Sequence, residues 1–450
     1  MSSDGDRRPP VLLHPAFELT PDLIVFTFRE NVVSEGRIST RKVRVLRDQD
    51  SVCVDTSEAP VIRIGGMDAI FHSRYEYPPM LDDQWSRVDL DEFLRTRTAL
   101  APSSIYAELV AAFQRHSDLK EHGAYVVAAT WVALTFVYPA FPAVPFLLFL
   151  GPKATGKSQT LDVLANLCRC GHKSRSRPAA LGDLIESQRA IPIIDQANSL
   201  DSELLQIAID SYRRGASRTV TDVDNRGQPH RFETFGPKVF AAHERFDDDL
   251  ADRCIQFTMA PATREIEPIL ADDDRLQRLR WEMYKFTLKH HPDLFEAMGR
   301  RKRDIVGREL EFGGRDLELW WPFEVLFEWL TVPDLDREDA RRFFNASLNS
   351  TKAELDEKTR ALLLALAVLA KDSVGDFEAR SDEVAGGIKA ILGTGVDESW
   401  IGSSLKDLGL ALKKRRTRCN GRRLMVWKIS ASSLRHLLVA WKLLDGEVES

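Results

Sequence analysis

From Val11 to Trp85 apolar and polar residues alternate with a period of two. The stretches "LIVFTFRE" (23–30), "RKVRVLRD" (41–48), "SVCVDTS" (51–57), "VIRIGG" (61–66) and "AIFHSRYEY" (69–77) carry the alternation, with turn residues between them. Such a pattern predicts short strands, so residues 1–88 read as a β-rich N-terminal domain without a chemical motif of its own. Beyond it the period lengthens. "IYAELVAAFQRH" (105–116) has helical spacing, and "AYVVAATWVALTFVY" (124–138) reads as a long apolar helix. "FLLFL" (146–150), "IPII" (191–194), "KVFAAH" (238–243) and "CIQFTM" (254–259) are apolar runs of strand length, and helical patterns separate them. Strands alternating with helices predict an α/β fold with a parallel sheet.

The charge-free run Tyr125–Leu150 is long enough to span a bilayer, which makes it the one membrane candidate. Pro139, Pro142 and Pro145 interrupt it, and its last residues are the strand just described. It therefore reads as a buried helix, a turn and a central strand, with no membrane partner. The start, "MSSDGDRRPP", lacks the apolar segment of a secretion signal.

At 450 residues with 44% apolar content the chain has ample material for a packed core and roughly three domains of ordinary size. Five cysteines at irregular spacing suit a reducing cytoplasm better than a disulfide framework. Cys168 and Cys170 with His172 have no second ligand pair at zinc-like spacing, and they read as plain thiols beside a histidine.

The strongest chemical signal follows the strand at 146–150. Gly151-Pro152-Lys153-Ala154-Thr155-Gly156-Lys157-Ser158 fits GxxxxGK[ST], and Gln159 continues into an amphipathic helix. Gly151 and Gly156 are expected at positive φ, which lets backbone N–H groups close on phosphates at the N-terminus of that helix. Lys157 would reach the outer phosphates, and the Ser158 hydroxyl is a hard ligand for Mg²⁺. Ile191–Ile194 ends on Asp195, as a buried strand does when it delivers a carboxylate to its C-terminal edge; this is the second candidate metal residue. Gln196 follows where many phosphate-loop motors have a glutamate. A glutamine orients water without acting as a strong base. Glu244, at the end of a later predicted strand, is the nearest candidate to supply a carboxylate instead.

With these motifs, "FGPK" before one strand and "LADR" before the next, the stretch from about Ala124 to Leu330 resembles the AAA+ ATPases, in particular helicase-like members of phages, plasmids and archaea. The resemblance implies a core over 89–261, a helical lid over 262–333, ATP and Mg²⁺ as ligands, and a homo-oligomeric ring. It implies that His243 or Glu244 occupies the position of the γ-phosphate sensor, and that Arg253 in "LADRC" enters a neighbouring subunit's site, where an arginine supplied in trans is worth roughly 10³ to 10⁵ in rate. A surface pairing with Asp248, Asp249 or Asp252 is the other reading of Arg253. Gly314-Arg315 resembles the arginine that touches nucleotide from the lid helix.

Two stretches point to DNA. "TVTDVDNRGQPHRFETF" (219–235) reads as a β-hairpin with Arg226 near its tip and His230 on its second strand. Related ring helicases carry a DNA-gripping hairpin at this place. Further on, Lys413, Lys414, Arg415, Arg416, Arg418, Arg422, Arg423 and Lys428 gather without an acid among them in a chain of net charge −6. Around them the pattern is helix, helix, strand, turn at Asn420-Gly421, strand. That order predicts a winged-helix DNA-binding domain over 377–450, joined by a helical connector over 334–376. The combined expectation is a cytoplasmic Mg-ATP-dependent helicase or translocase serving replication of a mobile element. An ATP-controlled DNA-binding or helicase-loading factor is the alternative, and a nucleotide-regulated signalling or defence protein a third.

Overall fold

The period-two alternation of the N-terminal segment folds into two small sheets, because each strand has an apolar residue to bury on every second position. The computed structural model describes residues 10–34, 37–48, 51–57, 59–64, 67–71, 85–173, 178–200, 202–222, 228–243, 247–270, 273–305, 312–351, 357–371, 375–408, 410–419, 422–440 and 443. The first strands are β1 (Val11–Leu13), β2 (Phe17–Leu19), β3 (Ile24–Ser34), β4 (Arg37–Arg47), β5 (Val52–Asp55), β6 (Val61–Ile64) and β7 (Met67–Phe71). β2-β3-β4-β5 form an antiparallel sheet, and β1-β7-β6 a mixed one in which β1 runs parallel to β7. Val25 and Leu46 face a small core with Leu13, Ile64 and Phe71. Ile24, Phe26 and Phe28, on the opposite face of β3, join the main core of the molecule.

That shared core changes the expected domain division. Phe17 stacks on Phe26, Phe26 meets Tyr284 edge-on, and Trp85 stacks on Tyr284, with centroids 5.2, 4.9 and 5.3 Å apart. These rings join the β region to a helix more than two hundred positions later, and one compact unit runs from Met1 to Lys352. Sequence spacing places boundaries near 88, 261 and 333. The structure packs across all three.

Helices α1 (Arg87–Thr96), α2 (Pro102–His116) and α3 (His122–Thr135) follow. α3 is buried on every side, as its unbroken apolar run predicts, and the Trp131 indole N–H donates to the Pro145 carbonyl at 2.8 Å. A short 3₁₀ turn at Tyr138–Ala140 then leads into β8 (Phe146–Leu150). Among the described residues no helix is long and apolar enough to cross a membrane.

The central layer comprises β8, α4 (Lys157–Leu167), β9 (Gly171–Lys173), α5 (Pro178–Gln188), β10 (Ile191–Ile194), α6 (Ser202–Asp210), the hairpin β11 (Ser217–Asp222) and β12 (Gln228–Glu233), β13 (Val239–Ala242), α7 (Asp248–Ala251) and β14 (Cys254–Thr258). Five of the strands form a parallel sheet in the order β14-β8-β13-β10-β9. The chain leaves β8 towards one edge, returns to β13 beside it, then crosses to its other side for β14. β8 is therefore the topological switch point, where open α/β sheets bind ligands at strand carboxyl ends. Helices α8 (Arg275–Ile305), α9 (Gly314–Trp329) and α10 (Asp334–Thr351) complete the unit, and the Ser347 hydroxyl accepts the Gln256 N–H of β14 at 2.6 Å.

The second unit, Ala353–Ser450, contains α11 (Glu357–Ala370), β15 (Phe377–Arg380), α12 (Ser381–Leu392), α13 (Glu398–Asp407), β16 (Ala411–Cys419), β17 (Arg422–Ile429) and α14 (Ala431–Ala440). Its three strands are antiparallel in the order β15-β17-β16. Leu362 and Leu366 of α11 pack with Val384, Ile388, Ile401, Leu405, Trp427 and Ile429. The expected connector at 334–376 is thus divided: α10 belongs to the first unit and α11 to the core of the second.

Candidate nucleotide site

All five residues of β8 are buried, which fixes the point at which Gly151 leaves the sheet. A β-carbon on Gly151 would lie 2.3 Å from the Met259 carbonyl oxygen, so glycine is required there by close approach and not by a positive φ. The left-handed positions of the loop are Ala154, at φ 64°, and Gly156, at φ 85°. Gly156 stands at the N-cap of α4, and its conformation turns the chain into the helix. The first N–H groups of α4 have no intrahelical acceptor and point towards the carboxyl edge of the sheet.

The loop folds around its own lysine. Lys157 Nζ donates to the carbonyls of Gly151 and Pro152 at 2.5 and 2.6 Å, and the Thr155 hydroxyl donates to the Pro152 carbonyl at 2.9 Å. Burial pulls the Lys157 ammonium below the usual lysine range, while the Asp195 charge opposes that shift. Ser158 opens the exposed side of the helix, and its hydroxyl donates to Asp195 Oδ2 at 3.0 Å. The other oxygen, Oδ1, accepts the Gln196 N–H at 2.9 Å. Two hard oxygen ligands, one from α4 and one from the end of β10, are thereby placed at the loop's mouth, a donor set that suits Mg²⁺ beside phosphate. Gln196 has φ 59° and an exposed side chain at the same edge.

Four contacts at this edge had no motif to announce them. The Asn198 carboxamide oxygen accepts the His243 N–H at 2.9 Å, tying the turn after Asp195 to the end of β13. Lys173, at the end of β9, pairs with Asp162 at 2.6 Å and donates to the Ser158 carbonyl at 3.2 Å. The Gln159 carboxamide donates to the Glu267 carbonyl at 2.8 Å. Their only sequence signal is position, each at or just beyond a strand end or in the first turn of α4. Lys153 is exposed on the loop, and His243 is exposed at the end of β13. Glu244 and Arg226 lie outside the described residues, as do the side chains of His230, Arg418, Arg422 and Arg423.

Arg253 and Arg315 sit elsewhere. Arg253 precedes β14, and its carbonyl accepts the N–H of Phe146, the first residue of β8. That is the amino-terminal edge of the sheet, about 16 Å from Gly151 at 3.3 Å per residue. Arg253 donates to the Asp249 carbonyl and lies 3.9 Å from that residue's carboxylate. Arg315 pairs with Asp252 at 2.9 Å. The expectation that Arg315 reaches the chain's own nucleotide from a lid is therefore corrected: α9 starts beside Asp252 because Trp321 packs against Phe141, below β8.

No family model matches the sequence, and no curated protein matches it. Among solved structures, the A form apo structure of the NrS-1 C-terminal region aligns with 87% of this chain and 94% of its own at 11% identity, with a TM-score of 0.38. An apo structure of NrS-1 residues 305–718 aligns over the same shares at the same identity, with a TM-score of 0.39. Drosophila ORC bound to DNA aligns over 81% of this chain and 94% of that one at 11% identity, with a TM-score of 0.17.

In the second unit, Lys413, Lys414, Arg415 and Arg416 are all exposed on β16, an edge strand. Arg415 meets Glu378 at 2.5 Å, and Lys428 approaches Asp376 at 3.8 Å. Pairing in the register Lys413–Lys428 and Arg415–Val426 turns these residues to one face, and Lys414 and Arg416 to the other. No disulfide joins Cys53, Cys168, Cys170 and Cys254, and burial pushes Cys168, Cys170 and Cys254 above the usual thiol range.

A stability prediction follows from the contact at Gly151. Gly151→Ala must push the loop away from Met259, an overpacking worth roughly 1–3 kcal/mol. Thermal unfolding is expected at a clearly lower temperature, with weaker triphosphate binding. An unchanged melting curve would show that the loop yields freely.

Proposed function

We propose that this chain is a Mg-ATP-dependent ATPase of the AAA+ type that acts on DNA, as a ring-forming helicase or translocase in the replication of a mobile element. The observation that carries the proposal is the 3.0 Å contact between Ser158 Oγ and Asp195 Oδ2 at the mouth of a glycine-bounded loop on the switch-point strand. A phosphate-binding turn alone would not require a carboxylate from a second strand beside its hydroxyl.

In this reading the N–H groups of α4 receive the phosphates, and Lys157 exchanges the Gly151 and Pro152 carbonyls for the outer phosphate oxygens. Ser158 and Asp195 would hold Mg²⁺, which neutralises charge that develops between the outer phosphates. Gln196 orients the attacking water. Arg253 faces away from its own loop and serves the loop of another copy, which accounts for a ring. Five cysteines at irregular spacing suit a reducing cytoplasm. The succession β15, α12, α13, β16, β17 supports a winged helix, with β16 as its basic phosphate-binding strand.

Gln196 in place of a carboxylate favours one second reading, an ATP-controlled DNA-binding or helicase-loading factor with slow turnover. Steady-state hydrolysis with single- and double-stranded DNA, together with displacement of a strand from a forked duplex, separates the two. A motor hydrolyses faster on DNA and unwinds the fork. A loader binds and releases DNA with the fork intact, and that result would remove the helicase reading. For the basic strand, Lys413→Glu/Arg416→Glu is expected to weaken DNA binding and to lower the salt slope by about two phosphate contacts. An unchanged slope in a salt titration would sink the assignment.

A further inference from the structure

Three guanidinium groups converge on one buried aromatic ring at the amino-terminal edge of the five-stranded sheet. The Cζ atoms of Arg213, Arg253 and Arg315 lie 5.2, 5.3 and 5.9 Å from the ring centroid of Tyr212. Tyr212 is fixed from below, since its carbonyl accepts the Val144 N–H at 2.8 Å just before β8. The ring's negative face tolerates cations, but three like charges around one ring still repel one another. Each is accordingly matched by a carboxylate: Arg213 to Glu318 at 2.7 Å, Arg315 to Asp252 at 2.9 Å, and Arg253 more loosely to Asp249 at 3.9 Å.

These matches differ in strength and access. The Arg213 and Arg315 side chains are 57% and 35% exposed, and their partners Glu318 and Asp252 are 35% and 49% exposed. Glu318 takes Arg213 in a fork, from Nε at 3.0 Å and Nη2 at 2.7 Å, whereas Asp252 takes Arg315 through one nitrogen, and both pairs stay open to exchange with water. Arg253 is only 12% exposed, and its buried Nε has no hydrogen-bond partner in the structure. The arrangement is a set of forked donors whose carboxylate acceptors are open to exchange. A phosphate group, with more charge and more acceptor oxygens than a carboxylate, competes well for such donors. The chain's own phosphate loop lies at the opposite end of β8, so it is not the source of that phosphate.

We infer that Arg213, Arg253 and Arg315, set around Tyr212, form one face that receives the bound triphosphate of a second copy of this chain, and that Asp249, Asp252 and Glu318 keep the face paired with itself until that copy docks. The inference rests on the ATPase reading and deepens it. Arg315 and Arg213 join Arg253 as residues acting in trans, and the three carboxylates regulate assembly. Docking exchanges intramolecular pairs for intermolecular ones, so the interface forms when the partner carries a triphosphate and loosens once the outer phosphate has left.

The test uses the full-length protein. Arg315→Ala and Arg213→Ala are expected to melt close to wild type and to bind a fluorescent triphosphate through their own loops within ~3-fold, while turnover falls ~10²-fold. Mixing either variant with Lys157→Ala should restore turnover, because mixed interfaces pair an intact loop with an intact arginine face. Sedimentation with a non-hydrolysable triphosphate supplies a readout without chemistry. Asp252→Asn/Glu318→Gln should assemble at several-fold lower protein concentration, and Arg315→Ala at several-fold higher. Loss of triphosphate binding by dilute Arg315→Ala, no recovery on mixing, or a binding site that survives in Lys157→Ala and disappears with Arg315→Ala would each overturn the inference. Loss of DNA binding by Arg213→Ala with triphosphate-dependent assembly intact would reassign the face to nucleic acid. If wild type turns over no faster than Lys157→Ala, the ATPase reading falls, and the sedimentation arm still decides whether the face recognises a partner's triphosphate.

Discussion

Lys157→Ala is expected to abolish ATP turnover and to weaken triphosphate binding by ~10²-fold or more, with the fold intact. Its ammonium group makes two short hydrogen bonds to the carbonyls of Gly151 and Pro152, and it is largely buried. On binding, those donors move to phosphate oxygens, and charge-assisted hydrogen bonds are worth about 1.5–3 kcal/mol each. Because two carbonyl bonds are given up in exchange, the net gain is smaller than their sum, and a ~10²-fold loss corresponds to about 2.8 kcal/mol. Burial keeps the lysine pKa below its ordinary value, and the Asp195 charge opposes that shift. The measurement is equilibrium titration with a fluorescent ATP analogue, alongside calorimetric unfolding. Wild-type affinity in a folded Lys157→Ala protein would mean that phosphate is not bound at this loop.

Arg253→Ala should leave triphosphate affinity within a few-fold of wild type and lower turnover by ~10³ to 10⁵, the range for an arginine that stabilises transition-state charge from a neighbouring molecule. The geometry makes the expectation specific. Arg253 is at the amino edge of β14 and the glycine-bounded loop at the carboxyl edge of β8, so one chain cannot bring them together. Wild-type specific activity should therefore rise with protein concentration, whereas Arg253→Ala should stay flat. The arginine also packs on Tyr212 and reaches the Asp249 carbonyl, so its removal costs some stability. Unfolding curves of both proteins separate that cost from the catalytic one. Turnover that is independent of concentration in wild type, together with activity retained by the variant, would remove the trans role.

The placement of Arg315 away from the loop has a physical reason. "GGRDLELWWPFEVLFEWL" has the composition of an amphipathic element, and its arginine follows a glycine at the helix start, as a nucleotide-touching arginine would. Nothing in that pattern says which end of the sheet the helix packs against. Trp321 against Phe141, together with Asp252 beside Arg315, decided it. The N-terminal strands were legible for the same reason that their placement was not. Alternation fixes strand and face, but Phe17, Phe26 and Trp85 choose Tyr284 through contacts far apart in sequence. Gly151 shows the limit at the scale of one residue: the motif names the glycine, while the reason for it is the Met259 carbonyl at the end of a different strand.

What the sequence determined by itself was local: the strands and helices of the central layer, the glycine-bounded loop between β8 and α4, the carboxylate at the end of β10, and the basic strand of the second unit. Each depends on side-chain period, backbone freedom or charge within a few positions. The tertiary structure alone decided the order β14-β8-β13-β10-β9, the meeting of Ser158 with Asp195, and the gathering of Arg213, Arg253 and Arg315 around Tyr212. Those relations join residues tens to more than a hundred positions apart. They are selected by which packed core buries the most apolar surface with its polar groups paired, a property of the whole chain that no local pattern contains.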